Sequence, residues 1–249
     1  MLCIKNGRIH DAVRREPYTA DILIENGKLL QIGTDLHAEQ TIDAAGLEIY
    51  PGFVDAHSHI GLDGYGEPGV DINERNDICC PQLRAIDGVD PMDHSFELAR
   101  NAGVTCVCTG PGSANVLGGT FTVIKTAGKR IDDMIVKQTA AMKCAFGENP
   151  KRCYGQAGKK APMTRMGVAA LLRELLFKTR RYLEDKEAGK APAFDMKLES
   201  MIPVVKGELP LKVHAHRHDD ILTAIRIGKE FGLKLTLDHC TDGALIAGE

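Results

Sequence analysis

The chain has 249 residues, of which 43% are hydrophobic and 26% are charged, and its formal net charge is -3. These values indicate a globular protein that can bury a sizeable core, and the weakly acidic balance gives no reason to expect nucleic acid or a membrane as partner. No apolar run approaches the roughly 20 residues of a membrane-spanning helix. The N-terminus MLCIKNGRIHD lacks the apolar core of a signal peptide, and eight cysteines without a C-x-x-C pair are expected to be reduced, so we expect a cytoplasmic protein.

Residues 1 to about 51 are predicted to form a small β module. The dipeptides Asn6-Gly7 and Asn26-Gly27 stand between apolar-rich runs. Asn-Gly in that setting is the strongest short hairpin signal, because both central residues of the turn need positive φ. The predicted strands are 2–5 with 8–10 and 21–25 with 28–32, each pair as a hairpin, followed by 41–43 and 47–50.

After residue 51 the pattern changes to alternating strands and helices. Asp90 is predicted to cap a helix with Pro91 at its first position, and the helix is predicted to end near residue 101, before Gly103. The later predicted elements are a strand at 104–109, a strand in the last part of 134–146, a helix opened by Thr164, a strand at 211–216, a helix at 219–231 ended by Gly232 and a strand at 233–239. Strands that alternate with helices predict βα units and a parallel sheet.

Two histidines, His57 and His59, follow an apolar run in the segment PGFVDAHSHIGL at residues 51–62. Residues two apart on a strand point to the same face, so both imidazoles would project together from the end of a strand. Imidazole suits zinc, nickel and iron, so the pair indicates a metal site without naming the metal. A single His-x-His is a weak signal, and the rest of the chain decides its weight.

Further possible ligands stand at or just after other predicted strand ends. They are Lys143 and Glu148, then His214, His216 and His218 in LKVHAHRHDD, then Asp238 and His239 in LTLDHCTDG. In a βα barrel all strand C-termini open onto one face, where active sites lie. Histidines from separate strand ends are therefore expected to converge, which differs from a zinc finger built on local spacing.

Each of these residues also has a structural interpretation. His214 and His216 could line a packed barrel layer, and His218 is interpreted as a solvated loop residue. Glu148 could be a turn carboxylate, and Lys143 could reach out to solvent. The remaining histidines for which we expect no role are His10, His37 and His94.

The glycine-rich stretch GPGSANVLGG at residues 110–119 could suggest a phosphate-binding loop. It lacks the Lys-Ser/Thr ending of a P-loop and the spacing of a dinucleotide fingerprint. We therefore predict a flexible βα loop at the mouth of the site.

The segment PGFVDAHSHIGL, preceded by a small β module, resembles the start of the amidohydrolase superfamily, which are metal-dependent hydrolases on a distorted TIM barrel. KVHAHRHDD followed by LDHCTDG is similar to the imidazolonepropionase-like branch, and MKCAFGENPKRCYG and PMTRMG resemble an uncharacterised bacterial subgroup of it. The resemblance implies an α/β fold: an incomplete distorted TIM (β/α)8 barrel of about strands 1–6, preceded by a small β-sandwich module. The implied domains are 1–51 for the module and 52–249 for the barrel.

The resemblance also implies a ligand set for one or two divalent metal ions of the zinc type. His57 and His59 would bind one ion, His214 at the end of the fifth strand would bind a metal, and His239 at the end of the sixth would complete the second ion's shell. The bridging ligand would be Glu148 or a carboxylated Lys143, and we favour Glu148 because a carboxylate needs no modification. His216 would be the catalytic residue that contacts the substrate or the activated water. A basic set would suit a substrate carboxylate, with Arg217 as the binding residue, although surface residues explain it equally well: Lys151, Arg152, Arg165 and Arg217.

One feature departs from the family pattern, since the aspartate expected at the end of strand eight has no counterpart before Glu249. We therefore expect a fragment of a longer enzyme or a truncated gene product, and Asp238 and Asp242 are not assumed to substitute. An open barrel leaves sheet edges uncovered, so a homo-oligomer or an unstable chain is expected.

The function that the resemblance implies is hydrolysis of a non-peptide, often cyclic, C-N or amide bond in a small molecule by metal-activated water. Two alternatives remain open. One is a degenerate barrel that binds a metal or a partner without turnover, and the other is a dipeptidase or deaminase of the same superfamily.

Overall fold

The computed structural model describes residues 1–64, 70–158 and 160–249. The chain divides into two compact units, Met1–Phe53 and Val54–Glu249. This division falls close to residue 51, where the sequence pattern changes from short strands to alternating strands and helices. The assignment of the units as a β-sandwich module and a truncated barrel stays a prediction.

The first unit is a five-stranded sheet built around its first strand. Its strands are β1 (Leu2–Ile9), β2 (Tyr18–Glu25), β3 (Lys28–Gly33), β4 (Gln40–Asp43) and β5 (Glu48–Ile49). The sheet has the order β3-β2-β1-β4, and β5 also pairs with β1. β2 runs antiparallel to both β1 and β3, whereas β4 and β5 run parallel to β1.

The two Asn-Gly dipeptides of this unit have different structures. Asn26 and Gly27, with φ of 51° and 72°, form the turn between β2 and β3, so the second predicted hairpin is confirmed. The first predicted hairpin is wrong, because β1 continues through Asn6 and Gly7 with a register shift against β2. A Cβ atom on Gly7 would lie 2.1 Å from Ile49 Cδ1, so the glycine here serves the close approach of β5 at a bulge.

The second unit contains one six-stranded sheet whose strands lie in chain order. They are β6 (Phe53–Ser58), β7 (Val104–Thr109), β8 (Leu117–Lys125), β9 (Ile135–Ala145), β10 (Leu211–Ala215) and β11 (Leu235–His239). The two ends of the sheet approach each other. His57 Nδ1 on β6 lies 3.1 Å from Asp238 Oδ2 on β11, and Nζ of Lys212 on the next strand, β10, donates to the Ala56 carbonyl on β6 at 3.2 Å. The sheet is therefore nearly closed and barrel-like, within an α/β fold.

The prediction of a fully parallel sheet is wrong at β8. β8 runs antiparallel to β7 and β9, whereas β10 is parallel to both β9 and β11. Residues 110–119 are not a flexible βα loop, because they form the short connection from β7 and the buried start of β8. A connection this short cannot return the chain for parallel pairing. Gly119, with φ of 108°, packs where a Cβ would lie 2.5 Å from the Leu83 carbonyl oxygen.

The helices begin with α1, which differs from the prediction at its start. α1 begins at His94 because Asp93, not Asp90, is the cap and accepts a hydrogen bond from Ser95 N at 2.8 Å. As predicted, Thr164 is the N-terminal cap of one helix and Gly232 is the C-terminal cap of another. The helices are α1 (His94–Asn101), α2 (Ile131–Met134), α3 (Glu148–Pro150), α4 (Arg165–Glu187), α5 (Met196–Val205) and α6 (His218–Phe231), with a π-helical turn at Lys151–Gln156. Within the described ranges, none of these helices combines the length and apolarity needed to cross a bilayer.

The main core of the second unit lies between β9, β10 and the helices α4, α5 and α6. Its fully buried side chains include Met142, Leu172, Leu176, Met201 and Val213. Close packing of this kind holds the strands in one position. It therefore fixes the strands that carry Lys143 and His214.

Candidate metal-binding site

Five histidines from three strand ends form one contiguous cluster. They are His57 and His59 at the end of β6, His214 and His216 at the end of β10, and His239 at the end of β11. The ring centroids lie 5.1 Å apart for His57 and His59 and 5.2 Å apart for His57 and His239. The remaining contacts are 4.7 Å for His214 with His216, 4.7 Å for His214 with His239, and 5.0 Å for His216 with His239. The structure thus brings together five of the six histidines that the sequence placed at or just after strand ends, and His218 lies outside the cluster.

The ring of His59 is oriented by the backbone. Its Nδ1 lies 2.7 Å from the Gly110 carbonyl oxygen, and because a carbonyl only accepts, Nδ1 carries the proton. Burial lowers the pKa of His59, so the ring is neutral near pH 7 and its Nε2 has a free lone pair. A histidine that donates its other ring nitrogen to a carbonyl is the usual arrangement of a metal ligand.

His214 is the most deeply buried member of the cluster. Burial, with a smaller contribution from the Lys143 charge, lowers the pKa of His214 to about 3, so this ring is also neutral. Its Nε2 lies 3.1 Å from the side-chain amide nitrogen of Asn149. The Nδ1 atom of the neighbouring His216 lies 2.7 Å from Thr241 Oγ1. Both rings therefore contact residues that follow the neighbouring strands, Asn149 after β9 and Thr241 after β11.

Buried charges lie directly beside His57. Lys212 Nζ donates to Asp238 Oδ1 at 2.7 Å, while Lys143 Nζ lies 3.7 Å from Asp238 Oδ2. Although burial raises it, the pKa of Asp238 is held well below its usual range by the neighbouring His57 and Lys212. Burial lowers the pKa of Lys143 to about 8. The interpretation of Lys143 as a residue reaching solvent is wrong, since its side chain is fully buried.

Sequence reasoning missed two residues beneath the histidines, Lys212 and Phe121. The Phe121 ring stacks on His57 with centroids 5.5 Å apart, and the Nζ atoms of Lys143 and Lys212 both lie 5.5 Å from its centroid. Lys212 stands two residues before His214 on a buried strand, so strand alternation could have placed it on the same face. Phe121 carried no signal, because β8 itself was not predicted.

Several buried polar atoms in this cluster lack a hydrogen-bond partner. Among the described residues, such atoms include both ring nitrogens of His57, His214 Nδ1, Lys143 Nζ and Asp238 Oδ2. His57 Nδ1 and Asp238 Oδ2 are close but are not oriented for a hydrogen bond. An unpaired buried polar atom is costly, so several in one place need an explanation. Imidazole nitrogens and carboxylate oxygens are zinc ligands, and the residues present therefore fit a divalent metal ion.

A second feature on the solvent side of the cluster is a compact ligand triad. Ligand atoms of Glu148, His214 and His216 all lie within 4.8 Å of one another. Glu148 follows Gly147, whose φ of 80° turns the chain at the end of β9. One carboxylate oxygen and two imidazole nitrogens would suit an ion of the zinc type.

The other sequence candidates have partners outside the cluster. Arg217, the expected substrate-binding residue, donates from Nε and Nη2 to the Asp219 carboxylate at 3.0 and 2.9 Å. His218 is exposed, and its Nδ1 lies 3.5 Å from Asp242 Oδ2. His10 is paired with Glu48 in the first unit. The roles proposed for Arg217, and the absence of a role for His10, stay predictions.

Comparisons with known proteins place this geometry in context. A crystal structure of an amidohydrolase from Thermotoga maritima MSB8 matches with a TM-score of 0.93 and 41% identity, over 99% of this chain and 66% of that chain. The amidohydrolase tasK of Hapsidospora irregularis is 27% identical over 256 residues, which cover 89% of this chain and 26% of the relative. An adenine deaminase of Listeria welshimeri is 51% identical over 59 residues, or 24% of this chain and 10% of the relative.

The chain spans only part of each of these proteins, about a quarter of tasK and 66% of the Thermotoga chain. No protein-family model matches the chain. The activities of these longer relatives are therefore used only to propose a function for this chain.

Proposed function

The chain belongs to the amidohydrolase superfamily, and we propose that it acts as a metal-dependent hydrolase of a non-peptide, often cyclic, C-N bond in a small molecule. The observation that carries the proposal is the cluster of five imidazoles with unpartnered buried atoms around it. We further propose that β6 to β11 correspond to the first six strands of a distorted TIM barrel, and that the first unit belongs to a β-sandwich module.

The metal ligands in this proposal come from all three strand ends. His57 and His59 hold one ion, and His214 and His239 contribute to a second position. Glu148 supplies the anionic ligand, supported by its place within 4.8 Å of His214 and His216 ligand atoms. Carboxylation of Lys143 is the alternative, supported by its burial and by its pKa of about 8, which leaves a fraction of the amine neutral near pH 7.

When bound, a zinc-type ion supplies Lewis-acid polarisation of the scissile carbonyl group and activation of a water molecule. The residues of the chain orient the reactants and move the protons. His216, fixed through Nδ1 by Thr241, would contact the substrate and hold a proton at its other ring nitrogen. Asp238 is a poor proton acceptor, since its pKa lies well below the usual range and Lys212 occupies one of its oxygens. Its role is to fix charge beside His57.

A deaminase of the same superfamily is the second candidate, favoured by the 51% identity to an adenine deaminase over 59 residues. Both reactions add water to a carbon bonded to nitrogen, so the same site could serve either. They differ in product, because a deaminase releases ammonia and an amide hydrolase opens a ring or releases an acid. A substrate panel of cyclic amides and aminated heterocycles, assayed for both products, separates the two.

The first test of the proposal is metal content. We expect the purified chain to retain one to two equivalents of divalent metal after dialysis, measured by elemental analysis. His57→Ala and His214→Ala should each lose metal, whereas His37→Ala, which removes an exposed imidazole of the first unit, should retain the full content. A chain that retains no metal, or histidine variants with unchanged metal content, would contradict the proposal.

A further inference from the structure

Arg165, the first residue of α4, lies between Glu148 and α6. Its Nη2 is 3.6 Å from Glu148 Oε2. Its Nε donates to both carboxylate oxygens of Asp220, at 3.0 and 3.1 Å. One guanidinium group therefore joins a candidate metal ligand to a residue in the first turn of α6.

The Asp220 end of this connection is fixed. Asp220 is only 2% exposed and belongs to a helix that packs into the main core through Ile221, Ala224 and Phe231. Both contacts come from the one Nε–H group, and because a guanidinium is planar, fixing Nε also restricts the direction of Nη2. The position of Arg165 is therefore set from the core side, and its Nη2 faces Glu148.

The backbone before Glu148 is shaped around the same carboxylate. A Cβ atom on Gly147 would lie 2.7 Å from Asp220 Oδ2 and 3.9 Å from Arg165 Nη2. Gly147 also has φ of 80°, which side-chain-bearing residues rarely adopt. The turn that presents Glu148 thus contacts the ion pair through its backbone, independently of the Glu148 side chain.

We propose that Arg165, held by Asp220, is a positioning residue that keeps the Glu148 carboxylate next to His214 and His216 for metal binding. The inference rests on the proposed function, because it gives Glu148 the role of ligand. Glu148 is otherwise exposed, with a side chain 48% accessible to solvent. A carboxylate on an exposed turn has many rotamers, and a fixed cation at its side restricts them before the ion arrives.

A merely structural role for Arg165 is distinguishable, because a second ion pair joins the same two helices. Arg173 on α4 pairs with Glu230 on α6, with Nη2 and Oε2 2.8 Å apart. Both arginines have about the same side-chain exposure, 29% and 30%. Arg173 therefore provides a matched control that removes an α4–α6 ion pair and leaves Glu148 untouched.

The test is the affinity of the full chain for Zn²⁺, measured by competition with a chromogenic chelator. Arg165→Met and Asp220→Asn are expected to weaken Zn²⁺ binding by about 10–100-fold, the usual effect of losing a partner that orients a ligand. Arg165→Lys should lie between wild type and Arg165→Met, since it keeps the charge without the fork. Arg173→Met should bind Zn²⁺ as wild type does. Circular dichroism and thermal unfolding verify that each variant is folded.

The decisive measurement is a double-mutant cycle. In a Glu148→Gln background, Arg165→Met should cause no further loss of Zn²⁺ affinity, because the residue it positions is already gone. Equal losses in the two backgrounds, or an Arg165→Met effect no larger than that of Arg173→Met, would overturn the inference. So would a Glu148→Gln variant with wild-type affinity, which would leave Lys143 as the ligand and the proposed function intact. A wild-type chain that binds no Zn²⁺ would instead contradict the proposed function itself.

Discussion

The two sides of the histidine cluster hold their charges in different ways. On the inner side, Lys143, Lys212 and Asp238 are at most 8% exposed, and their charges face one another in the interior. On the outer side, Glu148 is exposed and receives its counter-charge from the half-buried Arg165. We call these the inner group and the outer group.

The difference indicates which property each group controls. Charges in a low-dielectric interior interact strongly and are costly to unpair, so the inner group should govern stability. Charges near water interact weakly, so the outer group should contribute little to stability and more to the binding of an ion or substrate. Substitutions in each group, compared with matched controls, test this division.

The largest expected effect on folding is that of Asp238→Ala. It leaves two buried lysines without their shared carboxylate, which should reduce the free energy of unfolding by about 3–5 kcal/mol. Glu230→Ala, which breaks the more exposed pair with Arg173, should cost about 0–1 kcal/mol. Urea unfolding of the metal-free chain measures both. Equal decreases in the free energy of unfolding of the two variants would show that the inner group does not contribute more to stability than an exposed ion pair.

The next effect concerns metal retention and separates the two candidate anionic ligands. Glu148→Gln should weaken Zn²⁺ binding by more than the roughly 10–100-fold expected for an orienting partner. Lys143→Met should retain metal if Glu148 is the ligand. Dialysis followed by elemental analysis measures both, and loss of metal only from Lys143→Met would reverse the assignment.

The third effect is a pH dependence of the metal-free chain. His214 has a pKa of about 3 when folded, whereas a histidine in an unfolded chain titrates near 6.5. Between these values the unfolded chain binds more protons, so stability is present above pH 6.5 and is lost as the pH falls toward 3. From pH 7 to pH 5 this residue should contribute a loss of about 2 kcal/mol.

His214→Leu tests that contribution. Between pH 7 and pH 5, the free energy of unfolding of this variant should fall by about 2 kcal/mol less than that of the wild type. His37→Ala, which removes an exposed imidazole, should follow the wild-type pH profile. Parallel profiles for wild type and His214→Leu would mean that His214 is not neutral in the folded chain.

The smallest effect is expected at the outer surface of the sheet. Leu237 on β11 and Val54 on β6 are exposed apolar residues on the two outermost strands, and such edges favour association between chains. Leu237→Lys should reduce self-association and change the free energy of unfolding by less than about 0.5 kcal/mol. Light scattering coupled to size exclusion measures the mass, with Phe177→Lys on the exposed face of α4 as control. A mass unchanged by Leu237→Lys would exclude this edge as the interface.

Strand-end histidines could be predicted from the sequence, because two rules that need only local pattern place them. Side chains alternate along a strand, and the C-terminal ends of all barrel strands lie on one face. His57, His59, His214, His216 and His239 follow from those rules. The Lys212–Asp238 pair could not be predicted, since a lysine in a strand usually indicates a solvent-facing position and its partner stands on another strand. Arg165 was noted only as a basic residue, because its contacts with Glu148 and Asp220 depend on how α4 lies against α3 and α6.

Glycine caused the main errors in the fold. Gly7 and Gly119 were interpreted as turn or loop residues, whereas both lie in strands where another element approaches closely. A glycine that permits a turn and a glycine that permits close packing look the same in a sequence. The partner that decides between them, Ile49 for Gly7 and Leu83 for Gly119, is distant along the chain.

The contact between Lys212 and Ala56 joins residues 156 positions apart in the chain. His57 obtains its neighbour Asp238 only after an even longer stretch has been synthesised. Long-range contacts of this kind form late, because the intervening chain must be ordered first. During translation, the first pair of histidines therefore emerges long before its partners. The metal site that we propose is therefore complete only once β11 has been made.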